Sequence, residues 1–163
     1  MVQVVATSTD SAVASAAPGS PTSDPLALDR QVCFAVVVAA RGIVALYRPV
    51  LEPMGLTHPQ YLVMLALWGQ APLSVKSLSS LLELDPGTLS PLLKRLEAAG
   101  LLTRHRDSHD ERLLSVELTA KGMALREQAL KVPPAIVERL GMSVDELETL
   151  HRALTRVIAA STS

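Results

Sequence analysis

The chain has 163 residues, of which 48% are apolar and only 2% aromatic, a composition that favours one helical domain with an aliphatic core. Its formal net charge of -1 excludes a bulk polycation, so any binding of nucleic acid has to rest on a local basic patch. The single cysteine, Cys33, excludes an intrachain disulfide and favours a reducing compartment. No basic residue precedes Arg30 and no apolar run approaches about 20 residues, so we expect a cytoplasmic protein without a signal peptide or membrane span.

Residues 1–25 are rich in Ala, Ser, Thr, Pro and Val and show no periodicity, and we predict a disordered tail there. A helical pattern begins at Leu26 and runs to about Leu51, with Pro49 and Pro53 as its expected bounds. This first helix is apolar on more than one face, because residues 34–40 carry no charge. A small domain cannot bury such a helix alone, so the pattern predicts a subunit interface.

Three helices follow, each opened by a side chain that can accept a hydrogen bond from the backbone of the first turn. The fourth helix carries a stripe of leucines at spacings of three and four, as a buried face requires. Pro91 should bend this helix because it removes a backbone hydrogen bond, and Gly100 should end it. The opening residues are Thr57 with Gln60 as a capping box, Ser74, and Asp85 followed by Pro86.

The apolar period then changes to that of strands. Residues 101–106 and 113–118 predict a β-hairpin, with a polar turn between them. A helix is predicted from Thr119 to about Leu130, broken by Pro133 and Pro134, and Ser143 with Glu146 should cap a last helix. The predicted fold is mainly α with a small β-hairpin wing, a winged helix-turn-helix.

In a winged helix-turn-helix the second helix of the pair enters the DNA major groove. Short hydroxyl side chains at its start can reach bases or phosphates, and basic residues farther along and on the hairpin suit phosphates or a minor groove. The basic residues could instead only solvate the surface, and Asp110 could pair with Arg112 to stiffen the hairpin loop. The predicted DNA-binding residues are Asp85, Pro86, Thr88, Ser90, Lys94, Arg95, Arg104, Arg106, Asp110 and Arg112.

A cysteine on an apolar helix is usually an inert small hydrophobe, but one feature favours a reactive role for Cys33. All four aromatic residues, Phe34, Tyr47, Tyr61 and Trp68, lie in the segment that begins beside it, which suggests a specific pocket. Tyrosine hydroxyls can donate hydrogen bonds to a thiolate and favour that reactive form. Tyr47 is too far along the helix to touch Cys33 within one chain, but the two could meet across a dimer of antiparallel helices.

Several motifs occur in a specific order: QVCF (31–34), YRP (47–49), PQY (59–61), LDPGTL (84–89), PLLKRLE (91–97) and DERLLSVELTAKG (110–122). Over about residues 26–160 the chain resembles the MarR family of bacterial regulators. Within that family it is similar to the organic hydroperoxide resistance regulators. The resemblance implies a homodimer that represses a peroxidase gene by binding an inverted repeat in double-stranded DNA.

The resemblance also implies a redox site made of Cys33, Tyr47, His58 and Tyr61. An organic hydroperoxide oxidises the cysteine to a sulfenic acid, and tyrosines of the partner subunit hydrogen-bond the thiol beforehand. Tyr47 matches one of these tyrosines. The other should precede Pro59, where this chain has His58, and Tyr61 matches a different tyrosine of the motif. His58 would donate best when protonated, so we hypothesise a pH-dependent reactivity of Cys33.

Some family members carry a further cysteine near the C-terminus, and this chain has none. The oxidised sulfur then has to be capped by a low-molecular-weight thiol or proceed to sulfinic and sulfonic acids. We expect residues 26–56 and 120–160 to form the dimer and residues 57–119 to form the DNA-binding lobe.

Two alternatives stay open. The first is a regulator of the same fold that releases DNA when an apolar or phenolic ligand binds non-covalently, with Cys33 in the core. The second is a thiol peroxidase. The chain lacks a resolving cysteine, which argues against that activity, so we expect that the protein is not an enzyme. His105 and His109 with Asp110 have no cysteine partner, so we expect no metal site and no cofactor.

Overall fold

The computed structural model describes residues 24–106 and 114–161. Most of the predicted tail, and the hairpin loop with Asp110 and Arg112, lie outside these described residues. Two compact units divide the chain, Met1–Ala39 and Ala40–Ser163, and the assignment of segments to dimer and DNA-binding lobe stays a prediction. The elements in the described ranges are α1 Val32–Leu51, α2 His58–Gln70, β1 Leu73–Ser74, α3 Val75–Leu82, α4 Pro86–Ala98, β2 Leu102–Arg106, β3 Leu114–Leu118, α5 Ala120–Ala129, α6 Val132–Leu140 and α7 Val144–Ser161, with short 3₁₀ helices at Leu28–Arg30 and Glu52–Met54.

Both predicted capping boxes are confirmed. The backbone N–H of Thr57 donates to Gln60 Oε1 at 2.9 Å just before α2, and that of Ser143 donates to Glu146 Oε2 at 2.8 Å just before α7. Backbone donors at these helix starts have no intrahelical partner, so the side chains satisfy groups that would otherwise need water.

The first helix starts later than predicted. α1 begins at Val32, and the residues before it form a 3₁₀ turn at Leu28–Arg30. The side chain of Gln31 donates to the carbonyl of Pro25 at 2.6 Å and to that of Ala27 at 3.3 Å. These local bonds satisfy carbonyls in a tighter turn, which the apolar spacing of the sequence does not reveal.

Four prolines that were expected to end, bend or break helices lie within helices. Pro49 lies inside α1 and does not bound it, and α4 continues without interruption through Pro91. The helix predicted from Thr119 to about Leu130 corresponds to α5, which ends at Ala129, but Pro133 and Pro134 lie in the first turn of a separate helix, α6. Backbone N–H groups in a first turn have no helical partner, so proline begins a helix there at little cost.

Three strands form one antiparallel sheet in the order β1-β3-β2. The predicted hairpin is confirmed, with register from Leu102 opposite Leu118 to Arg106 opposite Leu114. The strand β1, which pairs Leu73 with Val116, was not predicted. A strand of two residues is too short to show an alternation of apolar and polar side chains.

Aliphatic side chains from the second unit make up the core, as the composition predicts. Leucines dominate it, including Leu67 of α2, Leu78 of α3 and Leu93 of α4, each at most 1% exposed. Val116 of β3 is fully buried in the same cluster. The predicted leucine stripe of α4 is therefore its core face, and the remaining faces of that helix are left to solvent.

Two long helices contribute little to this core. Among the residues of α1 only Leu51 is buried, and no residue of α7 is buried in the described part of that helix. Large apolar side chains stand exposed on both, at a cost in apolar surface left in water. They are Val32, Phe34, Val37, Val38 and Val44 on α1, and Val144, Leu150, Val157 and Ile158 on α7.

The segment Val32–Met54 is long and apolar enough to cross a membrane by length and composition, with a mean hydropathy of 1.7. The expectation that no segment reaches this length was therefore wrong. Arg41 and Arg48 lie within it, and a guanidinium in the centre of a bilayer costs about 2.5–3.5 kcal/mol on insertion scales. An exposed apolar helix of this kind equally suits a contact between subunits.

Candidate functional site

The start of α4 is organised by Asp85. Its Oδ1 accepts the backbone N–H of Thr88 at 2.9 Å, and its Oδ2 accepts the Thr88 hydroxyl at 2.6 Å. The Thr88 side-chain bond is the largest cause that lowers the pKa of the Asp85 carboxyl. Asp85 is thus an ionised helix cap, as predicted, and its oxygens are engaged within the chain.

The hydroxyls of Thr88 and Ser90 are exposed at the start of α4, as predicted, but both already donate hydrogen bonds within the helix start. Thr88 donates to Asp85, and Ser90 Oγ donates to the carbonyl of Pro86 at 2.7 Å. A hydroxyl in this state can still accept a hydrogen bond. In this arrangement both side chains suit base donors such as amino groups better than phosphate oxygens.

Basic side chains lie farther along α4 and on β2. Lys94 and Arg95 of α4 and Arg106 of β2 are exposed, and within the described residues none of them has an ion-pair partner. Arg104 differs, because its guanidinium donates to the carboxylate of Glu97 on α4. Of the five predicted cations, Lys94, Arg95 and Arg106 thus have no ion-pair partner within the described residues, Arg104 is engaged with a neighbour, and Arg112 lies outside the described ranges.

The turn between α3 and α4 contains a strained residue. Glu83 adopts the left-handed conformation with φ of 51°, which costs a non-glycine residue about 1–2 kcal/mol. The Ser79 hydroxyl donates to the carbonyl of Leu84, and the Leu84 N–H donates back to the Ser79 carbonyl at 3.0 Å. These bonds fix the turn that sets α4 against α3.

The predicted redox residues fall into two groups. Cys33, the second residue of α1, is exposed. Tyr47, His58 and Tyr61 come together, with ring centroids 4.7 Å apart for Tyr47 and His58 and 6.0 Å apart for Tyr47 and Tyr61. The His58 ring meets the Tyr47 ring edge-on at 65°, a geometry favoured by aromatic quadrupoles.

Burial sets the protonation of this ring group. It raises the pKa of the Tyr47 hydroxyl and, together with the charge of Tyr47, that of the Tyr61 hydroxyl. It lowers the pKa of His58. Near neutral pH both tyrosines are therefore protonated donors, and His58 is a neutral ring with one N–H donor.

A groove of about 560 Å³ lies beside this group, between the end of α1 and the start of α2. Its walls are mostly apolar, and the charged side chains at it are two arginines and one glutamate. Such a groove suits an apolar molecule with a small anionic or phenolic group. It is lined by Arg41, Val44, Ala45, Arg48, Glu52, Gly55, Leu56, Thr57, His58 and Pro59.

Two contacts of the second unit were not anticipated from the sequence. The indole N–H of Trp68 on α2 donates to the carbonyl of Gly122 on α5 at 2.9 Å. The Tyr61 and Trp68 rings lie 6.4 Å apart, so a row of aromatic rings runs from Tyr47 to the start of α5. The clustering of aromatics in the sequence signalled a common pocket but not this route to α5.

Comparison with known proteins gives a consistent picture. The family described as transcriptional regulator SarA/Rot matches residues 45–128. The chain is 49% identical over 127 residues to the HTH-type transcriptional regulator TtmR of Methylorubrum extorquens, over 78% of this chain and 65% of that protein. It is 40% identical over 131 residues to the organic hydroperoxide resistance transcriptional regulator of Bacillus subtilis, over 80% of this chain and 89% of that protein.

Among solved structures, reduced AbfR bound to DNA superposes with a TM-score of 0.69 at 32% identity, covering 83% of this chain and 95% of that chain. AbfR comes from Staphylococcus epidermidis, and its overoxidised form has also been solved bound to DNA.

Proposed function

Because this chain belongs to the MarR/SarA family of winged-helix transcriptional regulators, which bind DNA and are not enzymes, we propose that it is a cytoplasmic repressor that senses organic hydroperoxides through Cys33. The observation that carries the proposal is the position of this cysteine. It stands exposed at the start of α1, in the QVCF segment that resembles the hydroperoxide regulators. The 40% identity to a regulator of organic hydroperoxide resistance supports the same assignment.

The active species is a homodimer that binds an inverted repeat, since a dimer is typical of the family. The exposed apolar side chains of α1 and α7 support this assembly, because each would remove a large surface from water on pairing. In the dimer, Tyr47 of the partner subunit donates a hydrogen bond to the sulfur of Cys33. The α4 helix enters the major groove and the hairpin, with Arg112, reaches the minor groove.

Oxidation is a two-electron step. The thiolate of Cys33 attacks the terminal oxygen of the hydroperoxide, an S–O bond forms, and the O–O bond breaks. The alkoxide leaves, takes up a proton and becomes the alcohol, while the sulfur becomes a sulfenic acid. A low-molecular-weight thiol then attacks this sulfur, forms a mixed disulfide and releases water.

His58 takes the place of the family's second tyrosine in this site. Its contact with the Tyr47 ring lets it hold that ring and offer its own N–H to the sulfur. Because burial lowers the pKa of His58, the doubly protonated ring forms only at acidic pH. The oxidation rates of wild type and His58→Phe should therefore diverge as pH falls; identical pH profiles would remove His58 from the mechanism.

The test measures the affinity for a fragment of the gene's own promoter by fluorescence anisotropy. Reduced protein is compared with protein treated with cumene hydroperoxide. We expect treatment, followed by a small thiol, to weaken binding by wild type at least about tenfold and to leave Cys33→Ser unchanged. Mass spectrometry identifies the mixed disulfide and the sulfinic form. The two are assayed separately, because overoxidised AbfR has been solved on DNA. Equal peroxide sensitivity of both proteins would refute the role of Cys33.

A second candidate function rests on the groove between α1 and α2. Its 560 Å³ and its two arginines suit an apolar carboxylate or phenol that releases DNA without covalent chemistry. The Cys33→Ser variant separates the two candidates, since it retains the groove. Release of DNA from this variant by millimolar benzoate, prevented by Arg41→Ala, would favour ligand gating.

A further inference from the structure

Glu97 and Arg104 join the DNA-binding helix to the wing. Glu97 lies near the end of α4 and Arg104 in the middle of β2, on opposite sides of the turn at Gly100. The Arg104 Nε donates to Glu97 Oε2 at 3.0 Å, and a terminal guanidinium nitrogen donates to the same oxygen. Both side chains are half-buried, at 22% exposed for Arg104 and 36% for Glu97.

The geometry of this partly exposed pair is specific. Two donors converge on one carboxylate oxygen, and such charge-assisted bonds are about twice as strong as neutral ones. The Arg104 side chain is the largest cause that lowers the pKa of Glu97, which agrees with an ionised acceptor. A planar fork fixes the direction of its partner in a way that a lysine cannot.

The pair lies where the angle of the hairpin is decided. The turn itself is held by backbone bonds, from the Gly100 N–H to the carbonyl of Glu97 at 2.8 Å and from the Leu101 N–H to that of Leu96 at 3.0 Å. These bonds fix the first residue of the hairpin, and the pairing of β1 with β3 holds its second strand, but neither directly holds β2 against α4. Arg104 lies opposite Val116 in the middle of the hairpin, and its side chain ties the outer strand β2 to α4, whereas β3 is held by its pairing with β1.

We propose that Arg104 is a positioning residue for DNA binding: its bond to Glu97 holds the hairpin at the angle at which the hairpin and α4 engage DNA together. The sequence had suggested Arg104 as a direct DNA contact, and the two roles predict opposite effects of removing Glu97. For a direct contact, loss of the carboxylate frees a cation and removes a repelled charge, so DNA binding tightens. For a positioning residue the hairpin loses its fixed angle, and specific binding weakens.

The experiment compares Glu97→Ala with Glu117→Ala, measured as reduced protein so that the result does not depend on Cys33. Both variants remove one carboxylate, but Glu117 of β3 is exposed and, among residues 24–106 and 114–161, its ion-pair partner is His105 of the same hairpin, at 3.5 Å. Affinities for the operator and for an unrelated duplex of equal length are measured for each, and thermal unfolding confirms that each is folded.

We expect Glu97→Ala to weaken operator binding roughly 5- to 20-fold, with unrelated DNA bound as before or more tightly. Glu117→Ala should not weaken operator binding. Arg104→Lys keeps the positive charge but lacks the planar fork of donors. Its affinity for the operator should be lowered as much as that of Glu97→Ala. The proposal is overturned if Glu97→Ala binds the operator as well as wild type or better, if both DNAs weaken alike, or if Arg104→Lys binds as wild type. Failure of wild type to bind DNA would instead concern the proposed function.

Discussion

Gly122, in the first turn of α5, is a position where one added methyl group should destabilise the fold. A Cβ there would lie 2.0 Å from the carbonyl oxygen of Leu101, and real Cβ contacts essentially never fall below 3.0 Å. The start of α5 therefore has to move by about 1 Å, the difference between these distances. That movement strains the bond from Trp68 to the Gly122 carbonyl and the bond from Thr119 to Leu101.

The expected cost follows from three effects. Overpacking costs about 1–3 kcal/mol, and weakening the partly buried hydrogen bond from Trp68 adds about 1 kcal/mol. The higher helix propensity of alanine relative to glycine offsets about 1 kcal/mol of this loss. The free energy of unfolding of Gly122→Ala should thus fall by about 1–3 kcal/mol, which lowers Tm by about 2–4 °C per kcal/mol in a chain of this size.

Thermal unfolding followed by circular dichroism at one fixed protein concentration measures this change, since Tm depends on concentration in a dimer. Gly69→Ala is the matched control, because its Cβ would meet nothing within 4 Å in the helix α2, and it should leave Tm unchanged or raise it. A Tm for Gly122→Ala equal to or above that of wild type would refute the close approach to Leu101.

Three further predictions concern single residues. Glu83→Gly relieves a left-handed conformation and should raise the free energy of unfolding, measured by urea titration, by up to about 1 kcal/mol, whereas Glu83→Val should lower it; the same shift for both would contradict the strain. Burial lowers the pKa of His58, so the unfolded chain binds more protons below about pH 6.5 and stability is lost as pH falls through that range; Tm measured at about pH 7.5 and 5.5 should drop less in His58→Phe than in wild type. Lys94→Ala should reduce the salt dependence of DNA binding by about 0.9 in the slope of log K against log salt; an unchanged slope would exclude a phosphate contact.

Local chemistry was the predictable part of this fold. The capping boxes at Thr57 and Ser143, the cap at Asp85 and the stop at Gly100 each depend on bonds within a few residues of the chain. The leucine stripe of α4 likewise follows from helical period alone. The family resemblance was confirmed by the comparisons, since its motifs lie in these same local segments.

Contacts between distant segments were not predictable. The pairing of β1 with β3 and the approach of Gly122 to Leu101 are set by how elements pack, and no local pattern carries them. The sequence shows the charge of Arg104, which predicts a DNA contact, but it does not show that Glu97 is its partner, although Glu97 is only seven residues away. The closeness of Tyr47, His58 and Tyr61 agrees with the predicted redox group, whose role at Cys33 stays a prediction.

The row of aromatic rings gives the protein a built-in optical reporter. Trp68 is the only tryptophan of the chain, and its indole N–H is bonded to the start of α5, directly after the hairpin. Indole emission shifts in wavelength when this bond is exchanged for water, and Tyr47 and Tyr61 stand close enough to transfer excitation to it. Movement between α2 and the helix behind the wing can thus be followed in unlabelled protein, in real time, from one native chromophore.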